Sequence, residues 1–442
     1  MKVSGAKVVV VGLARSGLAS IRLLVKEGAS VVATDTKPLA ELPGAAETIK
    51  ETGAKFASQS AEAFESADWV VISPGVPADI PLLEDVRRPG IAVMGEVELA
   101  SYFLQGKTIG ITGSNGKTTT TALTGHILRE CGIPVQVGGN IGAPVAGMVA
   151  TSKPDQWNVL ELSSFQLETI ERFRADIGVT VNVTPDHLDR HHTFENYAAA
   201  KGKLYETQQP GDSAVLNADD ATCVGYAALS RGKTCWFSLK RRVEPGFWLE
   251  NGRLFANGEP FLDAADIPMR GIHNVENTLA ASSAAWIAGA RLPDIAAAVR
   301  VFPGVEHRLE FVRTWHGVNF YNDSKATNVD ATAKAIDALP GPLWVILGGK
   351  DKGSDYRTLG PALAAKAKAI LLVGAATPII ADHLNGVVKM VDCGTIDAAI
   401  KLAAAEAKEG DTVLLAPACA SFDQFTGYEQ RGQVFKQLVR AL

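Results

Sequence analysis

The sequence lacks the features that mark several large classes of protein. No apolar run approaches the ~20 residues that a membrane-spanning helix needs. The five cysteines are scattered and none forms a Cys-x-x-Cys pair, which argues against a zinc site or a disulfide framework and fits a reducing cytoplasm. Acidic and basic residues number 48 and 43, so the charge balance carries no signature of nucleic-acid binding. The sequence therefore predicts a cytoplasmic protein with no membrane insertion and no nucleic-acid partner.

A glycine-rich turn near residue 115 has the pattern of a phosphate-binding loop. In IGITGSNGKTTTTALTGHILRECG, an apolar strand leads through Gly113 and Gly116 into an amphipathic helix of about four turns. Backbone N–H groups of such a turn point at anionic oxygens, while Lys117 would reach the terminal phosphates and Thr118 a Mg²⁺. Ile111 stands where the general pattern G-x-x-x-x-G-K-[ST] has its first glycine, and the alternative is a glycine-rich surface loop. Because strand, helix, Lys and Thr are all in register, the sequence favours a phosphate-binding loop.

Apolar strands alternate with helices along the whole chain. At ~150 residues per domain, its 442 residues predict about three domains. We place them at residues 1–96, 97–302 and 303–442, with Pro303-Gly304 as a hinge. The alternation is typical of doubly wound α/β folds. The predicted fold class is α/β, with a Rossmann-like N-terminal domain, a P-loop central ATPase domain and a Rossmann-like C-terminal domain.

The first domain opens with a second glycine turn. It has the pattern G-x-A-x-x-G from Gly12 to Gly17, and Asp35 closes the next strand at about the right distance to contact a ribose. Ala14 replaces the central glycine that lets a pyrophosphate approach the backbone. The turn is therefore compatible with a dinucleotide, a mononucleotide or a nucleotide sugar.

A carboxylate follows the phosphate loop at the end of another strand. Glu161 closes the strand in WNVLEL. A carboxylate at a strand end beside a phosphate loop commonly faces the metal ion. The alternative is an exposed glutamate at a strand terminus, and the sequence favours the metal-facing role.

Three of the eight histidines lie within the segment TPDHLDRHH. Asp186 and His187 directly follow a buried strand and are the better-placed pair for a metal or a phosphate, whereas His191 and His192 are expected to be structural. Zinc is not expected, because no second ligand set has zinc-like spacing. Lys201 lies in the next predicted helix and, from its pattern alone, is expected to be a solvated lysine.

Polar side chains follow three apolar strands of the last domain. Asp323, Lys325, Lys352 and Ser421 each come shortly after such a strand. Since ligands of parallel sheets bind at the carboxyl ends of strands, we expect these four residues to gather at one edge. Helix capping alone would explain the aspartate and the serine, but it does not explain two lysines at corresponding strand ends.

The ordered motifs resemble those of the Mur ligases of peptidoglycan synthesis. The strings TGSNGKTTT, GNIG, LELSSFQLE, NVTPDHLDRH, YAAAKGKLY, GIHNVENTLAA, VEHRLE and NDSKATN occur in this order, and SPG lies in the first domain. The resemblance covers essentially the whole chain. It also accounts for the imperfect phosphate loop, because the loop of this family is T-G-[ST]-N-G-K-[ST]-T.

The resemblance implies an ATP-dependent amide ligase that uses two Mg²⁺ ions. The short first domain with GLARSGLAS and DTKP, and the C-terminal PACASFDQFTGYEQRG, are similar to the family members that join D-glutamate to UDP-MurNAc-L-Ala. These two small molecules are then the expected partners, and a monomer is the expected state. Three alternatives remain open: a family member that adds L-alanine or a diamino acid, a P-loop ATPase that drives a partner, and a nicotinamide-dependent dehydrogenase.

The resemblance also implies roles for individual residues. Lys117, His187 and a carbamylated Lys201 would be catalytic. ATP would be bound by Gly113, Ser114, Asn115, Gly116, Lys117, Thr118, Thr119, Asn274, Asn277, Arg308 and Asp323. The metal ions would be held by Thr118, Glu161, His187 and Lys201. The UDP-sugar would contact Arg15, Ser16, Asp35, Thr36, Lys37, Ser73, Gly75 and Asn140, and D-glutamate would contact His187, Thr327, Lys352, Ser421, Phe422 and Tyr428. Family members often have Phe in place of Tyr428 and Arg in place of Lys37.

Overall fold

The computed structural model describes residues 3–65, 67–87 and 91–442, and within them the chain forms three sheets with helices between the strands. The strands of the first sheet lie between residues 7 and 95, those of the second between 107 and 263, and those of the third between 310 and 415. The predicted α/β class is confirmed. The strands of each sheet fall inside one of the three predicted domains, and the domain boundaries themselves stay predictions.

The first sheet has five parallel strands in the order β3-β2-β1-β4-β5, which is the strand order of a mononucleotide-binding fold. Its elements are β1 (Lys7–Val11), α1 (Arg15–Lys26), β2 (Ser30–Asp35), α2 (Ala45–Thr52), β3 (Lys55–Ser58), β4 (Trp69–Ile72), α3 (Pro81–Arg87), β5 (Ala92–Gly95) and α4 (Glu96–Ser101). Val8 and Val10 pack into one core and Val9 and Val11 into another. Both faces of β1 are therefore buried, which explains why the strand is apolar at every position.

The second sheet has nine strands in the order β14-β13-β12-β11-β10-β9-β6-β8-β7. Its first elements are β6 (Lys107–Thr112), α5 (Lys117–Glu130), β7 (Val135–Gly139), α6 (Val145–Met148), β8 (Trp157–Glu161), α7 (Ser164–Leu167), β9 (Ile177–Thr180), α8 (Leu188–His191) and α9 (Phe194–Glu206). Its later elements are β10 (Ser213–Asn217), α10 (Ala221–Tyr226), β11 (Lys233–Ser238), β12 (Gly246–Glu250), β13 (Arg253–Ala256), β14 (Glu259–Asp263), α11 (Ile272–Ile287) and α12 (Leu292–Arg300). The strand pairs between β7 and β12 are parallel, whereas the pairs β12–β13 and β13–β14 are antiparallel. The strand that carries the phosphate loop, β6, thus lies inside the sheet between β8 and β9.

The third sheet has six strands in the order β15-β16-β20-β17-β18-β19. Its elements are β15 (Glu310–Trp315), β16 (Val318–Asn322), α13 (Val329–Ala338), β17 (Leu343–Gly348), α14 (Gly360–Lys366), β18 (Ala367–Val373), α15 (Thr377–His383), β19 (Met390–Gly394), α16 (Ile396–Glu406), β20 (Thr412–Leu415) and α17 (Tyr428–Ala441). Only the β15–β16 pair is antiparallel among the strand pairs described. The carboxyl ends of β16, β20 and β17 therefore meet at one edge.

The chain divides into two compact units. The first comprises Met1–Asp266 and Glu276–Val301, and the second comprises Ile267–Val275 and Phe302–Leu442. The first two sheets thus belong to one unit and the third sheet to the other. The predicted hinge at residues 303–304 lies next to the junction between the units. None of the helices in the described residues is both long and apolar enough to cross a membrane.

A buried carboxylate fastens α4 to the second sheet within the first unit. Glu98 is 2% exposed and accepts hydrogen bonds from the backbone N–H groups of Glu171, Arg172 and Phe173 at 2.9–3.1 Å. A charged acceptor shared by several N–H groups strengthens each of these bonds. Glu98 therefore holds the segment that leads into β9.

Removal of this carboxylate should destabilise the first unit. We expect Glu98→Ala to lower the free energy of unfolding by roughly 3 kcal/mol, because three N–H groups lose a charged acceptor. Urea unfolding followed by far-ultraviolet circular dichroism measures the change. Glu51→Ala is the control, since Glu51 pairs with Arg22 at an exposed site and should cost about 0.5 kcal/mol or less. Equal losses in the two variants would contradict the role of Glu98.

Candidate active site

The phosphate loop leaves β6 at Gly113 and enters α5 at Lys117. Gly116 has a φ of +83°, and a Cβ at this position would lie 2.2 Å from Oδ1 of Asn277. Only glycine satisfies both the left-handed backbone and the close approach. The predicted strand–turn–helix is confirmed, and α5 ends at Glu130.

Residues that follow β9 hold the loop in shape. The backbone N–H of Asn115 donates to Oδ1 of Asn182 at 2.9 Å, and the backbone N–H of Ser114 donates to the carbonyl of Asn182 at 2.8 Å. The Ser114 hydroxyl donates to the carbonyl of Thr184 at 2.8 Å and lies 2.9 Å from the Tyr197 hydroxyl. The sequence motifs predicted no role for Asn182 or Tyr197. The only sequence signal for them was their position inside the NVTPDH and YAAAK motifs.

Lys117 and Thr118 lie where the loop pattern places them. The Lys117 amine donates to the carbonyls of Gly113 at 2.8 Å and Ser114 at 2.9 Å. Thr118 and Thr119 are buried in the first turn of α5. Two successive carbonyls of the loop thus receive the loop lysine just after the strand ends.

Glu161 lies at the carboxyl end of β8, in register with Ile111 of the neighbouring β6. Its side chain is 1% exposed, and its Oε1 accepts a hydrogen bond from Nδ2 of Asn140 at 2.9 Å. Among the described residues no donor reaches Oε2. A buried carboxylate oxygen without a donor costs free energy unless a cation or a proton satisfies it. The predicted exposed-glutamate alternative is therefore wrong.

The donor set suits a magnesium ion that takes its remaining ligands from a bound nucleotide and water. The described part of the chain contains no group of three or more His, Cys, Asp or Glu side chains that could hold a metal. Mg²⁺ usually takes one or two protein ligands and fills the remaining positions with phosphate oxygens and water. The Glu161 carboxylate and the Thr118 hydroxyl beside a phosphate loop fit this pattern.

Lys201 is buried inside the protein, so the pattern-based expectation of a solvated lysine is wrong. It is 1% exposed, and its amine donates to the carbonyl of Gly113 at 2.9 Å and lies 4.6 Å from the centre of the Tyr197 ring. The pKa of Lys201 lies well below its ordinary value, because burial disfavours the ammonium form and Lys117 repels it. Burial thus favours the neutral amine of Lys201 over the ammonium form.

His187 precedes α8 with a left-handed backbone, at a φ of +52°. Its side chain is 49% exposed and lies edge-on to Phe165, with 4.9 Å between ring centroids. Burial lowers the pKa of His187, Asp186 opposes this, and Lys117 reinforces it. The imidazole is thus held neutral near pH 7 and is reachable from solvent. His191, by contrast, is buried against the Ser164 hydroxyl at 3.0 Å, in line with its expected structural role.

The residues predicted for the UDP-sugar, except Asn140, lie in or beside the turns at the carboxyl edge of the first sheet. Asp35 accepts hydrogen bonds from the backbone N–H groups of Leu13 at 2.8 Å and Lys37 at 3.0 Å. The Ser73 hydroxyl donates to the carbonyl of Gly12 at 2.6 Å. These bonds tie together the turns that follow β1, β2 and β4. Arg15, Thr36, Lys37 and Gly75 are exposed at this edge, and Ser16 is half-buried.

A loop of the second sheet contacts this edge. The Arg15 guanidinium donates to the carbonyl of Gly142, two residues after Asn140, which itself bonds to Glu161. The loop 140–144 therefore touches a predicted sugar-binding residue at one point and the predicted metal ligand at another, all within the first unit.

In the second unit, the four residues expected at one sheet edge follow β16, β17 and β20, whose carboxyl ends are adjacent. Asp323 is 5% exposed, and burial raises its pKa to about 6 although Arg308 opposes the shift. The Lys325 amine lies 5.3 Å from the centre of the Tyr428 ring. Lys352 is exposed and Ser421 buried. The predicted gathering at this edge is confirmed.

The remaining predicted residues differ in their surroundings. Thr327 is half-buried and Phe422 is exposed. Asn277 belongs to the first unit and lies 3.3 Å from the Thr120 hydroxyl. Asn274 belongs to the second unit and donates to the carbonyl of Arg270 at 2.7 Å.

Three domain models of one family match the chain. The Mur ligase MurD-like N-terminal domain matches residues 6–95, the Mur ligase middle domain residues 111–285, and the Mur ligase glutamate ligase domain residues 307–419. Each match covers one of the three sheets.

Curated relatives align with the chain over its whole length. The UDP-N-acetylmuramoylalanine--D-glutamate ligase of Solibacter usitatus is 61% identical over 442 residues, which cover 100% of this chain and 99% of the relative. The ligase of the same name from Acidobacterium capsulatum is 51% identical, with 100% of this chain and 97% of the relative covered.

Solved structures share the fold at low identity. A pseudomurein peptide ligase type C from Methanothermus fervidus has a TM-score of 0.62 at 20% identity, and 99% of this chain and 100% of that chain are covered. The UDP-N-acetylmuramate-alanine ligase MurC from Thermotoga maritima has a TM-score of 0.63 at 18% identity, with 98% and 99% covered. Together with the domain matches and the full-length relatives, they lead to one conclusion: the chain belongs to the Mur ligase family.

Proposed function

We propose that this chain catalyses the ATP-dependent addition of D-glutamate to UDP-N-acetylmuramoyl-L-alanine in peptidoglycan precursor synthesis. The observation that carries the proposal is the 61% identity, over the whole chain, to a ligase named for this reaction. The MurD-like match of the first domain favours this member over ligases that add L-alanine or a diamino acid. Membership of the family favours a ligase over a dehydrogenase or an ATPase that drives a partner.

The reaction needs ATP because a carboxylate is a poor electrophile. The carboxylate of the UDP-sugar attacks the γ-phosphorus of ATP, ADP leaves, and an acyl phosphate forms. The amine of D-glutamate then attacks the acyl carbon, and phosphate leaves from the tetrahedral intermediate. Charge accumulates on phosphoryl and carboxyl oxygens, so positioning and cationic groups supply most of the catalysis.

The phosphate loop would bind the nucleotide. The backbone N–H groups of residues 113–119 and the amine of Lys117 would surround the β- and γ-phosphates. Thr118 and Glu161 would hold the first Mg²⁺, and His187 and Lys201 would serve the second. The metal ions neutralise charge on the phosphoryl oxygens when bound. Asn274, Asn277, Arg308 and Asp323 would complete the nucleotide site.

His187 would contact D-glutamate as well as the second Mg²⁺. Burial lowers its pKa, which favours the neutral imidazole that a metal ligand requires. Its partial exposure supports access to a substrate.

The two remaining substrates would bind at the carboxyl edges of the first and third sheets. At the first, the cations Arg15 and Lys37 are exposed and suit the diphosphate, while Asp35, Thr36, Ser16, Ser73, Gly75 and Asn140 supply the other contacts. At the third, Lys352 suits the side-chain carboxylate of D-glutamate, with Thr327, Ser421, Phe422 and Tyr428 around it. We further propose a cytoplasmic monomer.

A substrate panel tests the proposal. Phosphate release from ATP is measured with UDP-MurNAc-L-Ala and, in turn, D-Glu, L-Glu, L-Ala, L-Lys and meso-diaminopimelate. We expect phosphate release only when UDP-MurNAc-L-Ala and D-Glu are both present. Turnover with another amino acid would indicate a different family member, and hydrolysis that needs neither substrate would indicate an ATPase.

The choice of amino acid should depend on Lys352. We expect Lys352→Ala to raise the KM for D-glutamate by about tenfold or more and to leave the KM for ATP within about twofold, since a charge-assisted contact is worth roughly 1.5–3 kcal/mol. Lys389→Ala is the control, because Lys389 is an exposed lysine of the same unit that pairs with Glu406. Equal rises in both constants would point to a structural or nucleotide role.

Lys201 should carry a carbamate. Its neutral buried amine can add CO₂, which turns a donor into an anionic oxygen ligand of the kind that Mg²⁺ prefers. We expect Lys201→Ala to be nearly inactive and partly rescued by acetate, and Lys201→Arg to stay inactive. After incubation with ¹³C-bicarbonate, a carbamate resonance should be present in the wild type and in a Lys233→Arg control, and absent in Lys201→Arg. Activity of Lys201→Arg, or no such resonance in the wild type, would exclude the carbamate.

A further inference from the structure

The turn that follows β4 is fastened on one side to the first glycine turn. The Ser73 hydroxyl donates to the carbonyl of Gly12, and the backbone N–H of Val76 donates to the carbonyl of Ser73 at 2.9 Å. A Cβ on Gly12 would lie 2.7 Å from Cγ2 of Val76. This turn, residues 73–76, contains two of the residues proposed for the sugar and is called the sugar turn below.

On its other side, the sugar turn is held by an arginine from a helix that follows β9 of the second sheet. Arg190 lies in α8, three residues after His187. Its Nη2 donates to the carbonyl of Val76 at 3.0 Å and to Oε2 of Glu168 at 3.2 Å. Its guanidinium lies 5.1 Å from the centre of the Phe165 ring, the ring that also contacts His187. One side chain therefore connects the sugar turn, α7 and the surroundings of His187.

The chemistry of these contacts suits arginine alone. The side chain is 13% exposed, so its charge is largely removed from water and needs the Glu168 carboxylate as a partner. A planar guanidinium can stack on an aromatic ring while its N–H groups reach two acceptors in different directions. A lysine has the charge but lacks the plane that stacks on the Phe165 ring.

We propose that Arg190 is a positioning residue that fixes the sugar turn relative to His187 and so sets the affinity for the UDP-sugar substrate. The inference rests on the proposed function, because it assigns the sugar substrate to this turn. Arg190 touches no reacting atom in this account. It acts through the carbonyl of Val76, which determines where the turn presents Ser73 and Gly75.

The test separates substrate positioning from general stability. Arg190→Met keeps the length of the apolar stem and removes every donor, whereas Arg190→Lys keeps the charge. We expect Arg190→Met to raise the KM for UDP-MurNAc-L-Ala by about tenfold, as the loss of a charged donor predicts. The KM of Arg190→Lys for UDP-MurNAc-L-Ala should lie between the values of Arg190→Met and the wild type. The KM values for ATP and D-glutamate should stay within about twofold, and calorimetric titration with UDP-MurNAc-L-Ala alone should show the same loss of affinity.

Two further variants serve as controls. Arg174→Lys alters a guanidinium–carboxylate pair of the same unit, with Asp212 at 2.6 and 2.7 Å, that contacts no proposed site residue. It should leave all three KM values unchanged. Glu168→Gln removes the ion pair but retains an acceptor and the Val76 contact, so its KM for the UDP-sugar should change less than that of Arg190→Met.

Each result bears on the inference. Equal changes in all three KM values, or a lower melting temperature with the UDP-sugar affinity intact, would show a merely structural arginine and overturn the proposal. If Arg190→Met failed to fold, the KM values of Arg190→Lys would give the same comparison. A wild-type protein that neither binds nor consumes UDP-MurNAc-L-Ala would instead overturn the proposed function, and with it the assignment of the sugar turn.

Discussion

The carbonyl of Gly113 accepts hydrogen bonds from two lysines, and much of the candidate site depends on this arrangement. Lys117 donates to it from the phosphate loop and Lys201 from α9, at 2.8 and 2.9 Å. Two ammonium groups on one buried carbonyl repel each other, which is one reason why the pKa of Lys201 lies so low. The phosphate loop therefore has two lysine amines at one carbonyl, and Glu161 adds a buried carboxylate oxygen that no described donor reaches.

A small number of polar contacts joins the first two sheets within their compact unit. Arg15 donates to the loop of Gly142, Arg190 donates to the sugar turn, and Glu98 accepts from the segment before β9. A fourth contact runs from the backbone N–H of Ala146 to the buried Glu96, whose pKa is raised by burial to about 7. The edge proposed for the UDP-sugar and the phosphate loop are thus held in one frame, as in-line attack on a phosphorus requires.

The second unit concentrates charge at the edge where β16, β20 and β17 end. Asp323 is buried with a raised pKa beside Arg308, whereas Lys352 extends into solvent. Buried and exposed charges have different uses, because a buried group keeps its geometry and an exposed one can receive a ligand without prior rearrangement. The proposal that this unit selects the amino acid follows from that contrast.

The amino-acid sequence was enough to predict the α/β class, the phosphate loop, the strand ends that carry polar residues and, through its ordered motifs, the family. These features are local, since strand periodicity, glycine turns and motif spacing are visible in a short window of sequence. It did not reveal that Lys201 is buried, that Asn182 and Tyr197 hold the phosphate loop, or that Arg190 connects two sheets. Burial and a pKa shift depend on which distant segments surround a side chain. Residues 113, 197 and 201 meet only after β6 and α9 pack together, so the tertiary structure alone decided what that lysine can do.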